Sequence, residues 1–472
     1  MTIRFGTDGW RALIGWDYTA ENVRACAAGT ALYLKKRGLD QRGLVVGYDT
    51  RFGSKDFASE VARVTTALQV PTYLCSTTAP TPAVSYNIMD RSAGGGVVIT
   101  ASHNPPNWNG FKYKPEYAGS ASAEVVEDLE TEINKASKGS IEMLSLDEAR
   151  QQNLLQDIDP TTPYINHLAK LVNLTTIRNS GLKVVVDAMH GAGGGYLTQL
   201  LEGGKTTISE IRATPNPAFP GMIQPEPVKH NLTPLAECVQ SSGADIGIAL
   251  DGDADRVGLI DEKGRFINTL QTFSLLVMYL LEQRKQTGPL VKSITMTSMI
   301  YRLGELFNVP VYEAPVGFKS LGPLMIKENA LAAGEESGGF AFRGHIPERD
   351  GILSGLFLID MVIKTGKRPS ELLEYLFSKV GDHYYDRLDV QFSGEDRKKV
   401  ESRVHSKILG SLIGLNVLNR DDNDGVRYTL EDGSWLLIRF SGTEPLLRIY
   451  AESRKENHVS LLLEEGRLLA GV

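Results

Sequence analysis

The chain has 472 residues, 42% hydrophobic and 23% charged, with 50 Lys and Arg against 57 Asp and Glu for a net charge of −7. That length exceeds what one hydrophobic core supports and predicts three or four domains of an ordinary globular protein. The acidic balance excludes nucleic acid as the main partner, yet leaves room for a phosphorylated small molecule held by local arginines.

Along the chain, short apolar runs alternate with stretches of helical spacing. Leu44–Tyr48 reads as a strand, residues 56–68 as a helix and residues 70–74 as extended again. The run Gly94-Gly-Gly-Val-Val-Ile99 predicts a buried strand that empties into a tight, proline-stopped turn, Thr100-Ala-Ser-His-Asn-Pro105. Residues 182–187 form the next strand. The glycines of 191–195 read as a strand-to-helix turn, because Tyr196 stands where a dinucleotide fingerprint needs glycine. Ile246–Leu250 and residues 257–260 are strands flanking an acidic turn. This alternation means βαβ units and mainly parallel sheets.

An internal echo, Leu68-Gln-Val-Pro-Thr-Tyr73 against Phe307-Asn-Val-Pro-Val-Tyr312, favours repeated α/β domains. The last hundred residues, with a hairpin turn at Glu431-Asp-Gly433, read as a smaller α+β domain. Polar and turn-rich stretches place the domains at residues 1–150, 151–258, 259–375 and 376–472. Cys26, Cys75 and Cys238 form no CxxC pair and no disulfide framework, which fits a reducing compartment. No window is apolar enough to span a bilayer and the first residues carry no apolar signal core. A cytoplasmic protein with no membrane partner is expected.

Four motifs carry chemistry. Ser102 sits at the mouth of the glycine-led strand, aimed at whatever binds above the sheet edge. A hydrolase nucleophile is opposed by the missing G-x-S-x-G elbow and by His103, since neighbours on extended chain point apart. Asp251-Gly-Asp-Ala-Asp-Arg256 sets three carboxylates on one face between apolar strands. Oxygen-only ligands select Mg2+ or Ca2+. An EF-hand is rejected because Arg256 takes the position that needs glycine, and a solvated acidic turn is opposed by the apolar flanks. Arg439-Phe-Ser-Gly-Thr-Glu-Pro-Leu-Leu-Arg448 offers either a phosphate cradle or a hairpin with surface arginines. The loop Gly334-Glu-Glu-Ser-Gly-Gly339 could accept hydrogen bonds from sugar hydroxyls, though glutamate-rich turns are common on surfaces.

In this order the four motifs resemble the α-D-phosphohexomutase family of phosphoglucomutases, phosphomannomutases and phosphoglucosamine mutases, most nearly a bacterial-type phosphoglucomutase. The resemblance covers the whole chain. It implies three related α/β domains with mixed, mainly parallel sheets and a C-terminal α+β domain around a central active-site cleft. It implies that Ser102 is a phosphoserine and that Asp251, Asp253 and Asp255 hold Mg2+ together with the phosphate on Ser102. By the same resemblance Arg256 would lie beside that group, and Arg11, from Phe5-Gly-Thr-Asp-Gly-Trp-Arg11, would approach it. Lys112 and His345 are the implied proton-transfer residues. Glu335, Ser337, Gly317 and Lys319 would read the sugar, and Arg439, Ser441, Gly442, Thr443 and Arg448 would grip the phosphate that is not reacting.

The implied reaction interconverts glucose 1-phosphate and glucose 6-phosphate through glucose 1,6-bisphosphate. Pro315-Val-Gly-Phe-Lys319 and the paired glutamates favour glucose, with mannose as the alternative. Gly339 departs from phosphomannomutases, which carry a histidine there. The expected partners are hexose phosphates, for a monomer or dimer. A non-catalytic sugar-phosphate or Ca2+ binder is the remote rival, since a pure binder needs no serine, cation cluster and two arginine sites together.

Overall fold

The computed structural model describes residues 3–392, 396–440 and 446–472. The first sheet contains β1 (Trp10–Leu13), β2 (Leu44–Tyr48), β3 (Thr72–Cys75), β4 (Gly95–Ile99), β5 (Trp108–Pro115) and β6 (Leu155–Ile158), in the order β1-β5-β4-β2-β3-β6. The second contains β7 (Lys183–Asp187), β8 (Thr207–Ile211), β9 (Ile246–Leu250), β10 (Val257–Asp261) and β11 (Phe266–Ile267), in the order β11-β10-β9-β7-β8. The third contains β12 (Leu290–Ser293), β13 (Val311–Ala314), β14 (Ala332–Gly334) and β15 (Phe340–Phe342), in the order β13-β12-β14-β15.

One plan repeats three times. Two strands pair in parallel, a third crosses to the other side of the first, and a fourth returns antiparallel beside the third. It is followed by β2 to β5, β7 to β10 and β12 to β15. The internal echo marks the second strand of the first and third repeats. Leu44 N–H donates to the Pro71 carbonyl and Leu290 N–H to the Pro310 carbonyl, each at 2.8 Å. Gln69 and Asn308, at φ 59° and 51°, end the helices that lead in. The left-handed residue stops the helix and the following proline keeps the chain extended.

The fourth domain is a six-stranded antiparallel sheet with its own core and the helices Arg397–Ser406 and Glu456–Ala470. The second and third domains instead share one continuous core. Their link is the helix Gly351–Thr365, capped by Asp350, whose residues 351–362 are all buried and which packs on β9, β10 and β15. A helix whose apolar residues lie on every side must be enclosed on all sides, and its buried Ser354 and Asp360 are hydrogen-bonded there.

The domain limits read from sequence shift. A limit at 150 cuts off β6, which pairs with β3. A limit at 258 falls inside β10, and one at 375 falls inside the helix Pro369–Val380. The edge strand β6 is recruited across a polar loop, so loop composition alone misplaces the first limit.

Candidate active site

The three motif-bearing loops occupy one topological position, the connection from the third strand of a repeat to its antiparallel fourth. They are residues 100–107, 251–256 and 335–339. Ligands of open α/β sheets gather beyond the carboxyl ends of the parallel strands. The loops meet there: Ser102 Oγ donates to Asp251 Oδ2 at 3.0 Å, and Val257 N–H donates to the Gly338 carbonyl at 3.0 Å. Gly252 has no room for a side chain, since a Cβ would lie 2.5 Å from the Ser102 carbonyl oxygen.

Ser102 is buried and left-handed, with φ 52°. That conformation costs a non-glycine residue about 1–2 kcal/mol, and the surroundings impose it. Ser102 N–H donates to Thr100 Oγ1 at 2.8 Å and Asn104 N–H to the Ala101 carbonyl at 3.0 Å. Arg51, from the loop after β2, donates from both terminal nitrogens to the carbonyls of Ser102, Asn104, Pro105 and Trp108. Arg11 Nη1 donates to Asn104 Oδ1 at 2.6 Å.

Asp251, Asp253 and Asp255 are fully buried and each offers an oxygen within 4.8 Å of the others. Asp253 Oδ1 and Asp255 Oδ1 have no hydrogen-bond partner. Orphaned anionic oxygens in a buried cluster are costly unless a cation joins them, so these residues fit a hard divalent ion such as Mg2+. Burial, then the neighbouring Asp253 and Asp255, push the Asp251 carboxyl well above its usual range. Burial also opposes ionisation of Asp253, but Lys112 and the Thr81 hydroxyl outweigh it and hold Asp253 low.

Lys112 Nζ contacts Asp253 at 2.8 Å, Asp255 at 3.1 Å and Asp8 at 2.8 Å. Burial alone would lower its pKa, yet these carboxylates raise it. Asp8 also takes Lys114 at 2.9 Å and Arg349. Against the opposing effect of burial, these three cations hold Asp8 well below the usual carboxylate range. Arg349 bridges onward to Asp255 at 2.9 Å and Glu348 at 3.2 Å, and Lys114 reaches Glu348 at 2.6 Å. This buried chain of charges joins the first three domains. Arg256 Nη1 is held by Glu226 at 2.8 Å, with Asp255 at 3.8 Å and Asp251 at 4.0 Å from its Nε.

In the third repeat, Gly317 N–H donates to Glu335 Oε1 at 2.8 Å. Burial raises the Glu335 pKa. Ser337 and Lys319 are half-buried, Lys319 in the first turn of the helix Phe318–Lys327. Glu336 turns away to the fourth domain, where it accepts from Tyr385 OH at 2.9 Å and Arg387 Nη1 at 3.2 Å. Arg439 and Arg448 stand directly opposite each other on adjacent strands. Asp424 accepts from Arg439 Nε at 2.9 Å, and Asp389 lies 3.8 Å from Arg448 Nε. Like charges facing across a ladder destabilise it unless compensated, and these two carboxylates supply compensation. Ser441, Gly442 and Thr443, between these strands, lie outside the described residues.

The surroundings of two histidines differ from what their positions in sequence suggest. The left-handed turn at Ser102 brings His103 Nδ1 to 3.3 Å from Ser102 Oγ, so the extended-chain argument against that contact fails. Burial, then Arg256 and Arg11, push the His103 pKa well down, which keeps the ring neutral. His345, expected beside the reacting group, is instead stacked on His167 with centroids 5.1 Å apart, in a junction that includes Tyr86 and Tyr164. Its Nε2 lies 2.8 Å from Asp350 Oδ2, the helix-capping carboxylate, and no hydrogen bond among the described residues joins it to Ser102 or the aspartates.

Sequence reading also missed Arg51, Asp8, Lys114, Glu226, Glu348 and Arg349. Lys114 was within reach, because it shares a strand face with Lys112 at a spacing of two.

Models of the phosphoglucomutase/phosphomannomutase α/β/α domains I, II and III match residues 2–140, 162–264 and 269–380, and the C-terminal domain model matches 395–467. A Thermococcus kodakarensis protein named phosphoglucomutase/phosphomannomutase is 31% identical over 98% of this chain and 97% of its own. A Sulfurisphaera tokodaii phosphoglucosamine/phosphogalactosamine mutase is 28% identical over 98% and 97%. A crystal structure from Thermus thermophilus, of a protein provisionally described as a phosphomannomutase, superposes with a TM-score of 0.85 at 31% identity, covering 100% of both chains.

Proposed function

Because the chain belongs to the phosphoglucomutase/phosphomannomutase family of phosphohexomutases, we propose that it interconverts glucose 1-phosphate and glucose 6-phosphate by storing a phosphoryl group on Ser102. The carrying observation is the buried Ser102 hydroxyl 3.0 Å from Asp251, at the edge of a carboxylate cluster with two orphaned oxygens. A Mg2+ ion on Asp251, Asp253 and Asp255 would supply positive charge to the oxygens of the transferring group.

In the first transfer a free hydroxyl of the sugar forms a bond to phosphorus, while the bond from phosphorus to Ser102 Oγ breaks and its electron pair stays on Oγ. The hydroxyl proton leaves to a base and Oγ is reprotonated. Neutral His103 would carry that proton, a role its 3.3 Å separation from Oγ supports. Lys112, held protonated by its carboxylates, contributes charge. The bound glucose 1,6-bisphosphate turns over and its other phosphate returns to Ser102, releasing product. Arg11 and Arg256 lie around the reacting group. Glu335, Ser337, Gly317 and Lys319 read the sugar. Arg439, Arg448 and residues 441–443 hold the phosphate at rest.

A dual glucose and mannose specificity is favoured by the name of the Thermococcus relative, and an amino sugar by that of the Sulfurisphaera relative. The two hexoses differ in one hydroxyl orientation, so few hydrogen bonds separate them. The substrates are soluble, and no helix of the described residues is long and apolar enough to cross a membrane; a cytoplasmic monomer or dimer is the form we propose.

Turnover of glucose, mannose and glucosamine 1-phosphates, each with a trace of its 1,6-bisphosphate, tests the reading. The highest kcat/KM is expected on glucose, and Ser102→Ala should lose essentially all of it. Full turnover by Ser102→Ala would overturn the phosphoryl store, whereas a preference for glucosamine would overturn only the substrate.

A further inference from the structure

We infer that Arg51 is the positioning residue that fixes the Ser102 loop in its reactive conformation and seats it against the domain bearing the three aspartates. The inference rests on Ser102 as the phosphoryl store.

Arg51 has no solvent exposure at its side chain. A guanidinium has five N–H donors in a rigid fork. Nη2 donates to the Ser102 and Asn104 carbonyls, both at 2.6 Å, and Nη1 to those of Pro105 at 2.9 Å and Trp108 at 3.1 Å. Four donors are thus spent on one turn of backbone. The remaining nitrogen, Nε, lies 3.3 Å from Asp49 Oδ2 in an ion pair buried on both sides, without a hydrogen bond between the two atoms. Asp49 is fixed in turn, since its Oδ1 accepts from Arg51 N–H at 2.9 Å and Ser54 Oγ at 2.7 Å. The outer face of the guanidinium covers the ring of Phe219, a buried residue of the second domain, 5.0 Å from its centroid.

This arrangement answers a need. The Ser102 loop is a left-handed turn whose carbonyls point inward rather than into a ladder, and inward carbonyls without donors would be costly. One side chain satisfies them, and the same side chain touches the domain that presents Asp251. The separation of Ser102 Oγ from the aspartates is therefore set through Arg51 on one side and the tight Gly252 contact on the other. The sequence holds the signal: Asp49-Thr-Arg51 follows the central strand β2 directly, at the carboxyl edge of the sheet.

Lysine keeps the charge beside Asp49 but offers one nitrogen, which cannot reach four carbonyls. Arg51→Lys is expected to fold, to keep KM, and to lose about 10²-fold in kcat, the scale of a misplaced reacting group. In Arg51→Ala, added guanidinium ion at tens of millimolar should restore part of kcat, and sodium at equal ionic strength should not. A merely structural role would lower stability and leave both readouts unmoved. Wild-type kcat in a folded Arg51→Lys that carries phosphate on Ser102 by intact mass would overturn the inference. Absence of phosphate on Ser102 in active wild-type enzyme would overturn the Ser102 reading, and this inference with it. Should neither Arg51 variant fold, Phe219→Leu removes the ring seat at similar volume. It should lower kcat about 10-fold at constant KM, and an unchanged kcat there would refute the positioning role.

Discussion

Replacing Lys112 by methionine tests the charge balance of the site directly. Lys112 Nζ serves three buried carboxylates, Asp8 and Asp253 at 2.8 Å and Asp255 at 3.1 Å. After its loss, Asp8 keeps Lys114 and Arg349, and Asp255 keeps Arg349. Among the described residues, Asp253 is left with the Thr81 hydroxyl as its hydrogen-bond donor. The cost is therefore that of one uncompensated buried carboxylate, about 3–5 kcal/mol, a large part of the roughly 5–15 kcal/mol that holds a domain folded.

The pH dependence has a definite sign. In the wild type the Asp253 pKa lies below its unfolded value, so its contribution is present above the unfolded pKa and lost as pH falls through the folded one. In Lys112→Met the folded pKa is raised instead, so protonation relieves the repulsion and the stability gap narrows between pH 8 and pH 5. Mg2+ should stabilise the variant more than the wild type, since no ammonium competes for the same carboxylates. Urea unfolding followed by tryptophan fluorescence at both pH values, with and without millimolar Mg2+, measures all of this. A variant within about 1 kcal/mol of wild type at pH 8, or a gap that widens on acidification, would refute the reasoning.

Two further outcomes follow from the domain junctions. Burial, then His345, pushes His167 down to about 4, so the folded state prefers the neutral ring and stability falls as pH drops from about 6.5 toward 4. The ring is half-buried, so solvent screens part of the effect, to about 1–2 kcal/mol; His167→Gln should flatten that slope, and an unchanged slope in urea titrations would assign the acid sensitivity elsewhere. Glu336→Gln weakens the contact with Tyr385 and Arg387 that ties the third-repeat loop to the fourth domain. It should raise KM about 5-fold, the worth of roughly 1 kcal/mol, with little change in unfolding, and an unaltered KM would exclude a part in substrate binding.

The three motif loops were legible because each is local: a glycine-led strand ends at Ser102, aspartates alternate between β9 and β10, and a glycine-rich turn separates β14 from β15. The echo at Val70-Pro71 and Val309-Pro310 announced the repeat for the same reason, since helix stop and strand start are written within a few residues. Sequence by itself thus determined the strand–loop–strand units, the carboxylate cluster and the family resemblance.

The tertiary structure decided what those units do to one another. Asp8 and Arg349 pair across 341 positions, and Lys112 meets Asp253 across 141. Such pairs follow no local period; they exist because three copies of one sheet present the same edge to a common centre, where low dielectric makes each charge demand a partner. The sign of a single φ moved His103 toward Ser102 Oγ, and the capping carboxylate of one helix holds the His345 ring. Periodicity fixes which residues share an element, but burial and charge pairing between domains fix which of them share a site.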